Sequence, residues 1–418
     1  MHHFQYKKNE LHCEGVPLKK IAEEVGTPTY VYSHATFERH FRVFDSAFRG
    51  LPHLTCFAMK TNSNIAILRA ISKWGGGVDI VSGGELFRAL TACVPANRIV
   101  YSGVGKTEFE MKQALKSGIL LFNVESEEEM ITLARVAGRM GRKAPVAIRV
   151  NPDINPKTHP YISTGLKKSK FGVQIEESLK LYESSGKYGS LRLCGVSCHI
   201  GSQITRLKPF IDTVHRLNRF VTELRQKGFK IQYLDLGGGL GIPYKGETPP
   251  SPAQYAAALK RELKNQNVTL LLEPGRVIAG NSGILLTRLL YQKSQGNKRF
   301  AIVDAAMNDL IRPALYGSYH EIQPVRRNGG KKKKVNIVGP VCESGDFFAE
   351  DRPLSPSSPG DLMAIMSAGA YGFTMASNYN SRPRVAEVLV HGNEYFVVRQ
   401  REEYKDLLKG EHVPKFLV

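Results

Sequence analysis

The sequence has no apolar run that approaches the roughly eighteen residues needed for a membrane-spanning helix. The stretch from Met1 to Gly15 is polar and lacks the apolar centre of a secretory signal. The six cysteines, at positions 13, 56, 93, 194, 198 and 342, include no Cys-x-x-Cys pair, so neither a metal site nor a disulfide framework is indicated. These absences predict a soluble protein of the reducing cytoplasm, without a bound metal and without membrane contact.

Acidic residues are scarce relative to basic ones, 38 against 58, which gives a formal net charge of +20. A charge of this size can indicate contact with nucleic acid or another anionic surface. The basic residues are spread along the chain, however, and the one dense block, Arg326–Lys334, flanks an Asn-Gly-Gly turn between two β-patterned runs. That arrangement favours a solvated hairpin tip. Since no nucleic-acid-binding motif accompanies the charge, no nucleic-acid partner is predicted.

What the chain does contain is a regular alternation of strand and helix patterns. Eight strand-like segments occur in order at 55–59, 78–81, 98–102, 119–124, 145–150, 193–200, 231–236 and 269–272. Helical stretches follow most of them, at 64–73, 83–91, 107–116, 126–140, 176–185, 208–227 and 252–266. This alternation predicts an α/β fold with a (β/α)8 TIM barrel over residues 30–280.

The pattern changes after Arg276. Strand-like runs separated by turns occupy 282–291, 299–303, 334–338, 362–366, 384–390 and 394–399, and helical signals are few. The 418 residues are also too many for one ordinary domain. We therefore expect a C-terminal β-rich domain of barrel or sandwich type over 281–418, which also includes parts of residues 1–29.

Residues able to do chemistry fall just past the C-terminal ends of the predicted barrel strands, where a TIM barrel carries its active site. Lys60 directly follows the apolar run Phe57-Ala58-Met59. A lysine at the edge of a core is partly desolvated, which favours the neutral, nucleophilic amine that Schiff-base formation requires. Taken alone, the position also fits a lysine that extends its amine from the core edge into solvent.

Turns rich in hydrogen-bond donors follow the last three predicted barrel strands. They are His199–Gln203, Gly237–Gly241 and Gly275-Arg276. Glycines let backbone N–H groups approach an anion closely, and TIM barrels often bind phosphate after strands seven and eight. One glycine run alone would fit a tight turn, but three such turns on consecutive strands indicate a phosphate-binding site, here called the phosphate cup. Glu273, at the end of strand eight, could pair with a pyridinium nitrogen or form a salt bridge with a barrel arginine such as Arg149.

With these motifs in place, the chain resembles the fold-type III pyridoxal phosphate enzymes, and most closely the diaminopimelate decarboxylases, over essentially its whole length. The matching stretches, in order, are Cys56–Asn62, Val78–Leu86, Arg149–Pro152, His159–Gly172, His199–Gln203, Leu234–Tyr244, Glu273–Arg276, Arg312–Gly317, Gly339–Asp346, Ala368–Gly372 and Asn378–Arg382. The resemblance implies pyridoxal 5'-phosphate as cofactor and conversion of meso-2,6-diaminopimelate to L-lysine and CO2. It also implies a head-to-tail homodimer with active sites at the subunit interface.

The resemblance implies a role for each matching residue. Lys60 resembles the lysine that carries the cofactor, His199 the imidazole stacked on its ring, and Glu273 the partner of its ring nitrogen. Cys342 resembles the proton donor, and the neighbouring subunit is expected to supply both Cys342 and Glu343. The other implied cofactor contacts are Ser202, Gly239, Pro274, Gly275, Arg276 and Tyr371, and the implied substrate contacts are Arg276, Arg312, Tyr316, Glu343 and Tyr371.

The choice of substrate depends on how the distal end of the molecule is recognised. Arg312 beside Tyr316 suits a carboxylate, and Glu343 suits an ammonium group, so the distal end is expected to be a complete amino-acid group. A related decarboxylase acting on ornithine, arginine or carboxynorspermidine is the alternative. A racemase would need a second acid/base, usually a tyrosine, in place of the Cys342 motif.

Overall fold

The computed structural model describes residues 2–155, 164–165, 169–263 and 266–417. The chain forms two compact units, one of Glu38–Ile278 and the other of Met1–Phe37 together with Ala279–Val418. In the part of the chain that is described, no helix has both the length and the apolar character needed to cross a bilayer.

The first elements are three short antiparallel strands, two helices and a buried strand. Their bounds are β1 Phe4–Lys7, β2 Glu10–Cys13, β3 Val16–Pro17, α1 Leu18–Glu24, β4 Thr29–Ser33 and α2 His34–Ala47. All five residues of β4 are buried.

The unit of Glu38–Ile278 is a closed barrel of parallel strands. Its strands are β5 His53–Ala58, β6 Gly77–Ile80, β7 Ile99–Tyr101, β8 Leu121–Val124, β9 Ala144–Asn151, β10 Val173–Gln174, β11 Leu191–Ser197, β12 Tyr233–Asp235 and β13 Thr269–Leu272. The short strand β10 pairs only with β9 and lies outside the ring. The other eight strands form a ring in the order β5-β6-β7-β8-β9-β11-β12-β13, which is closed by the pairing of β13 with β5. The predicted (β/α)8 barrel is therefore confirmed, and all eight predicted strands overlap observed ones.

Helices follow the strands, and several of them begin at a side-chain cap. Their bounds are α3 Ile65–Lys73, α4 Gly83–Thr91, α5 Glu108–Ser117, α6 Glu127–Arg139, α7 Ile175–Ser184, α8 Lys208–Gln226, α9 Pro252–Leu263 and α10 Arg276–Ala279. The side chains of Ser82, Thr107 and Ser126 each accept a backbone N–H in the first turn of α4, α5 and α6. Such caps satisfy donors that a helix start leaves unpaired, so they place each helix directly after its strand.

The barrel strands contribute both apolar and polar buried side chains. One apolar cluster has a residue from each of six strands, namely Cys56, Val100, Leu121, Ala147, Cys194 and Leu271. Buried polar residues also occur on the barrel strands, among them Asp79, Asn123 and Asp235. Because buried polar groups are costly unless they are paired, these positions mark the part of the barrel where function is expected.

The β-rich unit is built around a mixed sheet. Its remaining elements are β14 Gly283–Gln295, β15 Lys298–Val303, α11 Arg312–Tyr316, β16 Ile322–Pro324, β17 Lys333–Val338, β18 Phe347–Leu354, β19 Leu362–Ile365, β20 Ala386–His391, β21 Glu394–Arg399 and α12 Tyr404–Leu407. The strand order is β18-β17-β15-β14-β4-β20-β21, with β19 pairing to β14 and to β16. The predicted β-rich fold of this region is confirmed, although β16 and β18 were not predicted.

The predicted hairpin tip at Arg326–Lys334 is wrong. This segment connects β16 to β17, but β16 pairs with β19, whereas β17 pairs with β15 and β18. The residues of the segment are exposed, as expected of a solvated loop. Alternating strand patterns identify strands locally, but the choice of partner depends on the rest of the sheet.

Candidate active site

Lys60 lies in the single helical turn Met59–Thr61 that follows β5. Its Nζ is 2.5 Å from Oδ2 of Asp79 on β6, and about one third of the lysine side chain is exposed while the aspartate is fully buried. Oδ1 of Asp79 is buried and has no hydrogen-bond partner among the described residues. The amine is thus held at the rim of the barrel by a buried carboxylate. Sequence reasoning assigned no role to Asp79, although an aspartate inside the apolar run Val78–Ile80 is a usable signal.

Glu273 follows β13 and is buried. Its Oε1 accepts a hydrogen bond from the hydroxyl of Ser102 at 3.3 Å. Burial raises the pKa of the Glu273 carboxyl well above its ordinary value, and the nearby Asp235 and Asp79 add to this rise. Of the two roles predicted for Glu273, the salt bridge with Arg149 is not observed, because Arg149 pairs with another carboxylate.

A hydrogen-bonded polar layer links Glu273 to the neighbouring strands. Nδ2 of Asn123 on β8 donates to Oδ2 of Asp235 at 2.7 Å and to Oγ of Ser102 at 3.0 Å. Oδ1 of Asp235 accepts the backbone N–H of Gly237 at 2.9 Å, and burial raises the pKa of the Asp235 carboxyl. Ser102, Asn123 and Asp235 were not predicted as site residues, because each is a single polar residue on its own strand or strand end and its partners come from other strands.

His199 follows β11 and is fixed as a neutral imidazole. Its Nδ1 accepts the backbone N–H of Gly238 at 3.1 Å, which leaves the ring proton on Nε2. Burial lowers the pKa of His199 well below its ordinary value, and Arg149 and Lys60 lower it further. A Cβ at Gly237, where φ is +63°, would lie 2.6 Å from Nδ1 of the imidazole, so the glycine permits this close approach.

The turns of the phosphate cup are packed backbone to backbone. A Cβ at Gly239, where φ is +117°, would lie 2.5 Å from the carbonyl oxygen of Gly201. A Cβ at Gly275 would lie 2.4 Å from Cγ2 of Thr61, beside the turn that carries the lysine. The carbonyl oxygen of Pro274 accepts the backbone N–H of Ala58 at 3.1 Å, which ties the same turn to the end of β5.

Arg276 supplies a positive charge beside these turns. It is buried, its Nη2 donates to Oγ of Ser202 at 3.0 Å, and its Nη1 donates to the hydroxyl of Tyr244 at 2.8 Å. A guanidinium, a hydroxyl and glycine-rich turns suit a phosphate, a buried carboxyl suits a protonated pyridine, and an amine suits an aldehyde. The barrel residues therefore fit pyridoxal phosphate at its phosphate, its ring nitrogen and its aldehyde.

A buried ion pair supports the rim of the barrel. Nη1 of Arg149 is 2.8 Å from Oε1 of Glu125, and both side chains are nearly inaccessible to solvent. The Glu125 carboxylate also accepts backbone N–H groups of Gly103 at 2.9 Å and Gly172 at 3.1 Å. It therefore connects three loops at the same end of the barrel.

Replacing Glu125 with glutamine should lower the free energy of unfolding by about 3 kcal/mol, because the buried Arg149 charge would lose its counterion. Urea denaturation of the purified protein measures the change. The matched control is Glu128→Gln, which removes an exposed carboxylate from the first turn of α6 and should change stability by less than about 0.5 kcal/mol. Equal effects of the two substitutions would contradict the structural role of the pair.

The β-rich unit carries the other predicted residues. Arg312 and Tyr316 lie on α11, and Arg312 is buried, with Nη1 donating to Nε2 of His320 at 2.8 Å and Nη2 donating to Oγ of Ser318 at 3.3 Å. Cys342 and Glu343 are adjacent and exposed in the turn between β17 and β18. Tyr371 lies in a separate turn and has a φ of +57°.

Among the described residues, no group of histidine, cysteine, aspartate and glutamate side chains is arranged to hold a metal ion.

Comparisons with known proteins agree with this geometry. Residues 34–280 match the family described as "Pyridoxal-dependent decarboxylase, pyridoxal binding domain". The chain is 52% identical to the diaminopimelate decarboxylase of Pseudomonas aeruginosa over 98% of both chains, and 50% identical to that of Vibrio cholerae over 99% of both.

Solved structures of diaminopimelate decarboxylases have the same fold. The enzyme from Helicobacter pylori complexed with L-lysine is 42% identical, with a TM-score of 0.91 over 94% of this chain and 98% of that one. The enzyme from M. jannaschii in co-complex with L-lysine is 39% identical, with a TM-score of 0.95 over 99% of both chains. The chain therefore belongs to the diaminopimelate decarboxylases, within the family of pyridoxal-dependent decarboxylases.

Proposed function

We propose that this protein decarboxylates meso-2,6-diaminopimelate to L-lysine and CO2, the last step of lysine biosynthesis. It is a carboxy-lyase that uses pyridoxal 5'-phosphate. The observation that carries the proposal is the set of groups at one end of the barrel: the Lys60 amine, the buried Glu273 carboxyl and the Ser202–Arg276 pair. The names of the relatives, and the lysine bound in two of them, support the choice of substrate.

Each barrel residue has a role toward the cofactor. When bound, pyridoxal phosphate supplies a conjugated ring that accepts the electron pair left behind by the departing CO2. Lys60 would hold its aldehyde carbon, His199 would lie against its ring, and Glu273 would keep the proton on its ring nitrogen. Ser202, Gly239, Pro274, Gly275, Arg276 and Tyr371 would complete the cofactor contacts, with the phosphate at the cup.

Substrate recognition requires groups for a carboxylate and an ammonium at the distal end. The guanidinium of Arg312 donates hydrogen bonds to Nε2 of His320 and Oγ of Ser318, and these contacts orient it. We propose that Arg312, with Tyr316, Arg276 and Tyr371, binds the substrate carboxylates, and that Glu343 binds the distal ammonium. Cys342 then returns the proton to carbon.

The active form is proposed to be a head-to-tail homodimer. Cys342 and Glu343 are exposed in the single chain, which leaves them available to the active site of a neighbouring subunit. The cofactor domain would span residues 30–280, and the β-rich domain would span 281–418 with parts of 1–29. All six cysteines are free, which supports a location in the reducing cytoplasm. We propose no nucleic-acid partner and no membrane partner.

Purified protein loaded with pyridoxal phosphate should convert meso-diaminopimelate to equal amounts of L-lysine and CO2. Amino-acid analysis and trapped CO2 measure the two products. Ornithine, arginine and carboxynorspermidine, assayed under the same conditions, should be turned over at least about a hundredfold more slowly in kcat/KM, because none of them presents a distal carboxylate and ammonium on the same carbon. Faster turnover of any of the three would replace the proposed substrate.

A further inference from the structure

The turns that follow β11 and β12 are joined by a side-chain amide. Nε2 of Gln203 donates to the backbone carbonyl of Ile242 at 2.6 Å, and Oε1 of Gln203 accepts the backbone N–H of the same residue at 3.1 Å. One primary amide therefore pairs with both polar backbone groups of a single residue in the facing turn. These two hydrogen bonds are here called the amide clamp.

The amide clamp continues a short backbone pairing between the same two turns. The backbone N–H of Ile204 donates to the carbonyl of Gly239 at 2.9 Å, and the backbone N–H of Gly241 donates to the carbonyl of Ile204 at 3.0 Å. A Cβ at Gly241 would lie 3.2 Å from Cδ of Gln203, so the glycine leaves room for the amide. Backbone and amide together fix the spacing and register of the turns, as hydrogen bonds do between paired strands.

The residue that precedes the clamp in the chain is Ser202, whose hydroxyl belongs to the phosphate cup. Its Oγ accepts hydrogen bonds from Nη2 of Arg276 at 3.0 Å and from Nε of Arg276 at 3.3 Å. A hydroxyl that accepts from a guanidinium keeps its own O–H for another acceptor, and a phosphate oxygen is such an acceptor. The direction of this O–H depends on where the backbone of Ser202 is held.

The backbone at the clamp itself is strained. Gln203 has a φ of +57°, in the left-handed region that residues other than glycine seldom adopt. Such a conformation persists only where surrounding contacts impose it. The amide clamp is a contact of this kind, because it anchors the end of the same side chain to the facing turn. Its loss should let the backbone relax and turn the adjacent Ser202 hydroxyl away from the cup.

We propose that Gln203 is a positioning residue for the cofactor phosphate, which holds the turns after β11 and β12 in the register that directs the Ser202 hydroxyl toward it. The inference rests on the proposed function, in which Ser202, Gly239 and Arg276 contact the cofactor. Gln203 acts through Ser202 and needs no contact of its own with the cofactor. Its contribution should therefore appear only for ligands that carry a phosphate.

The first test is Gln203→Met, which keeps a side chain of similar length but can form neither hydrogen bond of the clamp. Spectroscopic titration of the cofactor-free full chain measures the Kd of pyridoxal phosphate and that of pyridoxal, which lacks the phosphate. The Kd of pyridoxal phosphate should rise about tenfold, equivalent to about 1.4 kcal/mol, while that of pyridoxal stays within about twofold. An unchanged Kd of pyridoxal phosphate, or equal weakening of both ligands, would overturn the inference.

Gln254→Met is the matched control in the same unit. Gln254 lies near the start of α9, is exposed, and also uses its amide on the backbone, since its Oε1 accepts the N–H of Ser251 at 2.9 Å. The control therefore makes the same chemical change and removes a comparable hydrogen bond away from the cup. Both dissociation constants should stay within about twofold of their original values.

A second variant disturbs the clamp from the opposite turn and leaves Gln203 in place. Gly241→Ala adds a methyl group 3.2 Å from both Cδ and Oε1 of Gln203, so the amide must shift from its partner. The Kd of pyridoxal phosphate should again rise while that of pyridoxal stays within about twofold. This variant keeps the inference testable if Gln203→Met does not fold. Equal loss of affinity for the two ligands would indicate general damage to the barrel rim and would overturn the inference.

A double-mutant cycle separates failure of this inference from failure of the proposed function. Ser202→Ala should weaken pyridoxal phosphate selectively, and adding Gln203→Met should weaken it little further, because the two residues act as one unit. Additive losses would overturn the inference and leave Ser202 as a phosphate contact. An unchanged Kd of pyridoxal phosphate in Ser202→Ala itself would overturn both the inference and the cofactor contact proposed for Ser202.

Discussion

Replacing Lys60 with alanine is expected to abolish the visible absorption band of the bound cofactor and to lower turnover roughly a thousandfold or more. The reason is the position of the lysine amine, which lies at the rim of the barrel and next to the buried carboxylate of Asp79. Without it, the cofactor can be held only through noncovalent contacts with its ring and phosphate.

The covalent role of Lys60 can be measured without an activity assay. Borohydride reduction followed by peptide mass spectrometry should find the cofactor attached to the peptide containing Lys60 in the original protein. The matched control is Lys73→Ala, which removes an exposed lysine from the end of α3 and should leave both the band and the attachment intact. An unchanged visible spectrum in Lys60→Ala, or attachment to a different lysine, would refute the assignment.

The Lys60 variant also needs a check on folding. Its loss leaves the fully buried Asp79 carboxylate without the cation that now lies 2.5 Å away. We therefore expect a lower melting temperature for Lys60→Ala, and recovery in the double variant with Asp79→Asn, which removes the buried charge. If the double variant regains stability but not the absorption band, the loss of cofactor attachment cannot be attributed to misfolding.

The barrel was predictable because its signals are local. Each strand is a short apolar run buried on both faces, and several helices begin at a Ser or Thr cap, as at Ser82 and Thr107. The strand β18 was missed because its second half contains Glu350, Asp351 and Arg352. That half lies near the edge of the sheet, where exposed charges are tolerated and the apolar pattern is weak.

Some residues of the site could likewise be predicted from the local sequence, whereas others could not. Lys60, Glu273 and the glycine turns stand at strand ends, so their positions follow from the barrel topology. Asp79 stands out locally as an aspartate inside an apolar run, but its pairing with Lys60, like the hydrogen bond from Asn123 to Asp235, forms only when the closed barrel brings the strands together. Likewise, the hydrogen bond from the backbone N–H of Cys342 to Oδ1 of Asn380 joins two loops that are 38 positions apart in the sequence, and no local pattern indicates it.

Replacing Cys342 with alanine should lower kcat by about a hundredfold to ten-thousandfold, the usual contribution of a general acid, while leaving cofactor binding intact. Cys342 lies in a turn of the β-rich unit, whereas the proposed cofactor contacts, apart from Tyr371, are barrel residues. The substitution should therefore change the chemical step without changing the visible spectrum. Cys93→Ala is the matched control, since Cys93 is also an exposed, free cysteine and its loss should leave kcat within about twofold.

The proposed position of Cys342 at the active site of a neighbouring subunit leads to a sharper form of this experiment. Neither Cys342→Ala nor Lys60→Ala should be active alone, but in a mixed dimer one site would combine an intact Lys60 with an intact Cys342 from the other subunit. The two inactive variants should therefore regain activity when they are mixed under conditions that allow subunit exchange. In a statistical mixture about half of the dimers are mixed and each has one intact site of two, so up to about one quarter of the original activity per active site should return. Complementation would show that the sites are shared, and its absence despite demonstrated exchange would place Cys342 and Lys60 in the same subunit's site. Near-normal turnover of Cys342→Ala by itself would remove the thiol as the proton donor.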